Sequence, residues 1–127
     1  MLTASDLVAT ARGQVENLPP AAVAIEVSGE GDVLLVDVRE AGERDGQGVI
    51  AGSLHVPRGM LEFCADPTSP AHHVDLQPER RVILHCASGG RSALAAVLLK
   101  EMGYRDVAHL DGGLIAWREA GLAIEPP

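Results

Sequence analysis

Residues 81–102 read RVILHCASGGRSALAAVLLKEM, and they predict a strand, a tight loop and a helix in direct succession. The strand is RVIL at 81–84, where consecutive apolar residues are typical of a strand buried on both faces of a parallel sheet. The helix, from Ser92 to Met102, is rich in alanine and leucine and ends at Gly103. Only a short loop of small residues separates the two, so strand and helix pack against each other directly.

The same alternation of strand and helix continues on both sides of this segment. Further strands are predicted at 33–36 (VLLV), 107–110 (VAHL) and, more briefly, at 14–18 and 53–56. Helices are predicted at 3–12, with Thr3 or Ser5 as the cap, and at 19–28, 58–64 and 114–120. Two stretches are predicted to be irregular: the charged residues 40–48, with at most one helical turn, and the proline-rich surface excursion at 65–78.

Buried strands that alternate with helices predict a small three-layer α/β domain, with helices flanking both faces of a central, mostly parallel sheet. Right-handed connections then place the loops that follow the strands at one edge, where such folds bind their ligands. We expect one domain, residues 15–127, preceded by an N-terminal helical extension at residues 1–14.

Composition excludes several classes of function. Eighteen acidic and ten basic side chains give a formal net charge of -8, which argues against nucleic-acid and anionic-membrane partners. The longest apolar run, residues 93–99, is too short to span a bilayer, and no signal peptide is visible. Two cysteines make no disulfide framework, so a reducing, cytoplasmic location is expected.

The loop HCASGGRS at 85–92 carries the chemistry that the sequence predicts. Cys86 ends a strand just before a helix, where backbone N–H groups and the helix dipole favour the thiolate over the thiol. Gly89 and Gly90 permit a positive φ, so the loop can close around an anion. Arg91 adds a planar cation suited to oxyanions. This combination indicates a nucleophilic cysteine that acts on an anionic reactant, and the alternative is a buried core thiol beside an ordinary turn.

The chain resembles the rhodanese family of sulfurtransferases over residues 15–121. The matching segments, in order, are Val36-Asp-Val-Arg39, Gly48–Ser53 with Leu54–Pro57, the Cys86 loop, Gly103-Tyr104 with Val107, and Leu110-Asp-Gly-Gly113 with Trp117 and Gly121. Three positions depart from the family pattern: Val49 and Ala51 stand where histidine and proline are usual, and His85 where an apolar or aromatic residue is commoner.

The resemblance implies that Cys86 takes the outer sulfur of thiosulfate or a similar donor and becomes a persulfide. A nucleophilic acceptor, cyanide or a thiol, then removes that sulfur. Arg91 would orient the oxyanion of the donor, and Arg58 is either a second anion contact or a solvated surface charge. Asp37 and Arg39 would support the loop through buried pairing. The remaining substrate-binding residues are those whose backbone amides cradle the sulfur: Ala87, Ser88, Gly89, Gly90 and Ser92. Neither a metal nor an organic cofactor is expected.

Two other functions remain open from the sequence. One is a sulfur-relay or binding module that delivers sulfur to a partner protein through the same cysteine. The other is a cysteine phosphatase or arsenate reductase of the same fold, suggested by the pair His85-Cys86. Those enzymes resemble His-Cys-x5-Arg, whereas four residues separate Cys86 from Arg91 here, and no aspartate is evident as a general acid.

Residues outside the loop have simpler interpretations. His72 and His73 are adjacent and lack metal-ligand spacing, so a zinc site is not expected. His55 and His109 fall in predicted strands and are interpreted as satisfied core or edge histidines. Cys64 is interpreted as a packing residue rather than a resolving thiol for Cys86. Residues 63–78 are expected to form a partial lid anchored by Phe63.

Overall fold

A computed structural model describes all residues from 1 to 127, and its centre is one sheet of five parallel strands. The strands are β1 (Glu16–Leu18), β2 (Val33–Asp37), β3 (Leu54–His55), β4 (Arg81–His85) and β5 (Asp106–Leu110). Their order across the sheet is β1-β5-β4-β2-β3, so the two apolar runs that the sequence marks most clearly form the central strand, β4, and its neighbour β2.

Helices cover both faces of this sheet. They are α1 (Ala4–Arg12), α2 (Pro20–Ser28), α3 (Ala41–Gln47), α4 (Leu61–Ala65), α5 (Gly90–Glu101) and α6 (Gly113–Glu119), with a 3₁₀ turn at Arg58–Met60. Thr3 caps α1 and Pro20 lies in the first turn of α2, as predicted. No helix of the structure is long and apolar enough to cross a membrane.

Alternation along the strands divides the core into two clusters. Val82 and Leu84 of β4 face a cluster that includes residues of α4 and α5, whereas Ile83 faces one that includes Val23 of α2 and Trp117 of α6. Adjacent residues of a strand point to opposite faces, so a continuous apolar run supplies both cores at once. The predicted three-layer α/β architecture is therefore confirmed.

The prediction for residues 40–48 is wrong, because α3 is a helix of seven residues rather than a loop with a single turn. Gly42 and Gly46 lower its intrinsic helix propensity, which is why the sequence does not favour it. A capping box between Glu40 and Glu43 satisfies its first backbone donors. Arg44 adds a tertiary anchor by donating to the buried Asp37 at 2.7 Å.

The expectation that Phe63 anchors residues 63–78 is also wrong, since that side chain is 56% exposed. The buried residues of the segment are Ala65 and Leu76, each with 0% exposure. Tyr104 donates its hydroxyl to the carbonyl of Ala65 at 2.7 Å, and the N–H of Arg105 donates to Pro78 at 3.0 Å. These contacts lie beside the beginning of β5, whereas the Cys86 loop follows the end of β4, so they do not place a lid over the loop.

Candidate active site

Cys86 lies directly after β4, with its side chain buried at 1% exposure. Its Sγ accepts the backbone N–H of Gly89 at 3.2 Å and that of Ser92 at 3.4 Å, and it lies 3.5 Å from Ser92 Oγ. Gly89 adopts a φ of 100° immediately before α5, the conformation that turns these amides inward. Among the predicted cradle residues, Gly89 and Ser92 contact the sulfur. Ala87, Ser88 and Gly90 complete the turn, and α5 adds its N-terminal dipole.

The Cys86 loop packs against the beginning of α6. The N–H groups of Leu114 and Ile115 donate to the carbonyls of Cys86 and Ala87 at 2.9 and 3.1 Å. Gly113 has a φ of 62°, and a Cβ there would lie 2.5 Å from the carbonyl carbon and oxygen of Ala87. The segment Leu110–Gly113 thus allows α6 to pack closely enough for its first N–H groups to bind the carbonyls of the loop.

Asp37 and Arg39 form the buried pair that the sequence predicted, and both side chains are fully buried. Arg39 Nε and Nη2 donate to the carboxylate at 3.0 and 2.9 Å, and Nη2 also donates to the carbonyl of Gly48 at 2.8 Å. Burial would raise the pKa of Asp37, but these hydrogen bonds and the neighbouring positive charges outweigh it and lower the pKa to about 2. Arg44, which sequence reasoning missed, is the second arginine on this carboxylate.

His85 is the residue that links this buried pair to the cysteine loop. It lies opposite Asp37 in the register of β2 and β4, with Nε2 3.8 Å from Asp37 Oδ2 and without a hydrogen-bond partner. The ring is fully buried, and this burial lowers the pKa of His85 to about 4. The imidazole is therefore neutral at neutral pH and sits in the core rather than facing a substrate.

Arg91 and Arg58 both have carboxylate partners, which the sequence did not reveal. Arg91 Nη1 and Nη2 donate to Glu43 Oε1 and Oε2 at 2.6 and 2.8 Å, and its side chain is 39% exposed at the surface. The hydrogen bonds with Arg91 lower the pKa of Glu43 to about 2 and raise that of the guanidinium. Arg58 pairs with Glu62 at 3.0 Å along one helical turn. Because both guanidinium groups are paired with carboxylates, the loop amides are the main source of positive potential at Cys86.

The remaining histidines and cysteines form no metal site, because no three His, Cys, Asp or Glu side chains come together to hold an ion. His55 contacts the carbonyl of Arg39 and His72 that of Leu76. His109 is buried between Ser92 and Asn17, and the sequence offered no signal for that pairing. Cys64 packs against the core as a free thiol, in line with its interpretation as a packing residue.

Comparison with known proteins agrees with this geometry. The sequence model of the Rhodanese-like domain matches residues 21–120, which include β2, β4, the Cys86 loop and α6. The chain belongs to the rhodanese-like family. The resemblance seen in its motifs is thereby confirmed, and α1 and β1 lie outside the matched region.

Relatives of this rhodanese-like chain include sulfurtransferases. It is 38% identical to a sulfurtransferase of Allochromatium vinosum over 76% of this chain and 81% of the relative. The structure of a Rhodopseudomonas palustris protein of unknown function, described as a possible tyrosine phosphatase, superposes with a TM-score of 0.92. The two are 40% identical and the match covers 98% and 96% of the chains. The polysulfide-sulfur transferase homodimer of Wolinella succinogenes gives a TM-score of 0.75 at 28% identity, over 92% and 82%.

Proposed function

We propose that this rhodanese-like protein is a thiosulfate sulfurtransferase that carries sulfane sulfur as a persulfide on Cys86. The observation that supports it most is the pair of N–H groups, from Gly89 and Ser92, that converge on Sγ at the beginning of α5. Amides at a helix N-terminus stabilise negative charge on sulfur, both in the thiolate and in the terminal sulfur of a persulfide.

The proposed first half-reaction is a displacement at sulfur. The Cys86 thiolate attacks the outer sulfur of thiosulfate. A bond forms between Sγ and that outer sulfur while the sulfur–sulfur bond of thiosulfate breaks. Sulfite leaves with the electron pair of that bond. In the second half-reaction, cyanide or a thiolate attacks the terminal sulfur, and the Sγ–S electron pair returns to Sγ as the thiolate.

The shape of the site favours a donor with a slender, exposed sulfur. Cys86 is buried, and none of the three surface depressions of the structure includes a residue of its loop. A terminal sulfur can approach such a thiolate end-on. A tetrahedral phosphate needs a ring of donors around it, and only four residues separate Cys86 from Arg91, whose guanidinium is paired with Glu43. For these reasons we do not extend the phosphatase description of the Rhodopseudomonas palustris relative to this chain.

The net negative charge of the protein predicts a modest affinity for an anionic sulfur donor. A formal net charge of -8 repels a dianion at long range, while the loop amides attract it only at contact. We therefore expect weak binding of thiosulfate that depends on salt. A protein persulfide or a protein thiol that presents its sulfur on a surface loop could also react with this buried cysteine. Sulfur relay between proteins is therefore the main alternative to transfer between small molecules.

The test is intact-mass measurement after incubation with thiosulfate. The wild type is expected to gain one sulfur atom and release sulfite. Cys86→Ala should gain none, and Cys64→Ala, the matched removal of the other thiol, should load like the wild type. Adding cyanide should remove the sulfur and yield thiocyanate. Absence of any sulfur gain by the wild type would overturn the proposal, and hydrolysis of an aryl phosphate that is lost in Cys86→Ser would replace it with a phosphatase.

A further inference from the structure

A line of polar contacts connects the nucleophilic sulfur to the edge strand of the sheet. Ser92 Oγ lies 3.5 Å from Cys86 Sγ and 2.9 Å from His109 Nδ1. On the other side of the ring, His109 Nε2 lies 2.6 Å from Asn17 Oδ1. Asn17 is the direct neighbour of His109 in the register of β1 and β5, so the fold itself places the amide beside the imidazole.

Asn17 determines which ring nitrogen carries the proton. Its Nδ2 group donates to the carbonyls of Arg12 and Val15 at 2.9 and 3.1 Å, which leaves Oδ1 pointing at His109. An amide oxygen only accepts, so His109 Nε2 is the protonated nitrogen and Nδ1 of the neutral ring has a free lone pair. Ser92 therefore donates its hydroxyl to Nδ1, and a lone pair of Oγ faces Sγ.

We propose that His109 is a positioning residue that draws the proton of the Cys86 thiol through the Ser92 hydroxyl. Sγ–H gives its proton to Ser92 Oγ as the hydroxyl proton of Ser92 passes to His109 Nδ1. The S–H electron pair stays on sulfur, and the products are a thiolate and an imidazolium whose Nε2–H still donates to Asn17. This inference rests on the proposed function, in which Cys86 is the nucleophile.

The proton transfer also reverses the direction of the Ser92 hydroxyl. Once Nδ1 is protonated it donates to Oγ, and the Ser92 O–H turns toward sulfur. The thiolate then has three donors: the N–H of Gly89, the N–H of Ser92 and the hydroxyl of Ser92. Without His109 the hydroxyl has a competing acceptor, the carbonyl of Gly89 at 3.3 Å. The imidazole therefore sets whether the third donor is available to the sulfur.

The surroundings keep His109 neutral until the thiol ionises. Burial lowers the pKa of His109, and the positive charge of Arg12, at the end of α1, acts in the same direction. Asp111, in the turn before α6, acts in the opposite direction and is itself paired with Arg12 at 2.7 Å. The groups that touch the ring from β1 and α5, Asn17 and Ser92, carry no charge, so the negative charge that forms on Cys86, one hydroxyl away, adds stabilisation to the imidazolium.

The test follows Cys86 alkylation by iodoacetamide against pH, in the full chain with Cys64→Ser so that a single thiol reacts. We expect His109→Gln to move the midpoint upward by about one pH unit, which slows alkylation near neutral pH about tenfold. Asn17→Asp should move it downward, because a carboxylate stabilises the imidazolium. Ser92→Ala should shift it upward, and adding His109→Gln to Ser92→Ala should change nothing further, because the two act in series.

His73→Gln changes a partly exposed histidine that does not contact Cys86, Ser92 or His109, and it should leave the pH profile unchanged. Superimposable profiles for His109→Gln and the wild type would overturn the inference, as would additive effects of His109→Gln and Ser92→Ala. If His109→Gln fails to fold, a downward shift in Asn17→Asp supports the inference and an unchanged midpoint overturns it. Failure of the proposed function is a separate result, because it appears as absence of sulfur loading by the wild type at about pH 10, where a thiol ionises without assistance.

Discussion

Glu43 and Arg91 form a bidentate ion pair at the surface beside the cysteine loop, with Oε1 and Oε2 of the carboxylate 2.6 and 2.8 Å from Nη1 and Nη2. The two residues come from α3 and from the first turn of α5, so the pair also ties the start of α5 to the segment that follows β2. Because the pKa of Glu43 lies near 2, the carboxylate stays charged through the physiological range and cancels the charge of Arg91.

Removing the charge of Glu43 should therefore improve the binding of an anionic donor. We expect Glu43→Gln to reach half-maximal sulfur loading at a thiosulfate concentration about threefold to tenfold lower, equivalent to about 1 kcal/mol. Loading followed by intact mass at several donor concentrations gives this value. Glu119→Gln makes the same charge change at the end of α6 and controls for net charge. An unchanged or weaker affinity in Glu43→Gln would show that Arg91 serves only to hold the loop.

Much of the fold and of the loop could be predicted because the relevant signals are local. Apolar runs mark β2 and β4, and Cys86 with Gly89 and Arg91 falls within six consecutive positions. The pairs Glu43–Arg91 and Asn17–His109 join residues 48 and 92 positions apart. The pair Asn17–His109 depends on the strand order, which places β1 beside β5. The pair Glu43–Arg91 depends on the formation of α3, whose glycines give it a low helix propensity. A single sequence carries no local signal for either.

Stability should fall as the pH is lowered from neutral, because His85 resists protonation in the folded state. Its folded pKa of about 4 lies below the unfolded value of 6.5, so the unfolded chain gains a proton first. The stabilisation is complete above pH 6.5 and declines to pH 4, by up to about 3 kcal/mol. Urea titrations at a series of pH values measure this slope.

The matched comparison for this slope is between two histidine substitutions. His85→Gln should make the decline between pH 6.5 and 4 shallower and leave only the part due to His109, whose pKa is also lowered by burial. His73→Gln, at a partly exposed position, should leave the decline intact. A further fall below about pH 4 is expected from Asp37 and Glu43, because both carboxyl groups have a pKa lowered to about 2 and lose their stabilising contributions as acid protonates them. A wild-type stability that stays level from pH 7 to 4 would contradict the neutral, buried state of His85.

The segment at 63–78 should depend on Leu76 rather than on Phe63 for its stability. Leu76 is fully buried against the α4 and α5 side of the core, so Leu76→Ala should lower the free energy of unfolding by about 2–5 kcal/mol. Phe63→Ala removes a larger side chain that is mostly in water and should cost less than about 1 kcal/mol. The denaturant midpoints of the two variants measure these losses in the free energy of unfolding. Equal losses would restore Phe63 as an anchor.

Gly113 should be indispensable to the loop for a steric reason that Gly103, which also has a positive φ, does not share. A Cβ at Gly113 would collide with the Ala87 carbonyl, 2.5 Å away, whereas one at Gly103 would meet nothing within 4 Å, although φ there is 98°. Both Gly→Ala changes carry the strain of a positive φ, about 1 kcal/mol. Gly113→Ala should add several-fold slower sulfur loading, because α6 and the Cys86 carbonyl must separate, while Gly103→Ala loads at the wild-type rate. Equal loading rates in the two variants would mean that the contact between α6 and the loop does not position the sulfur.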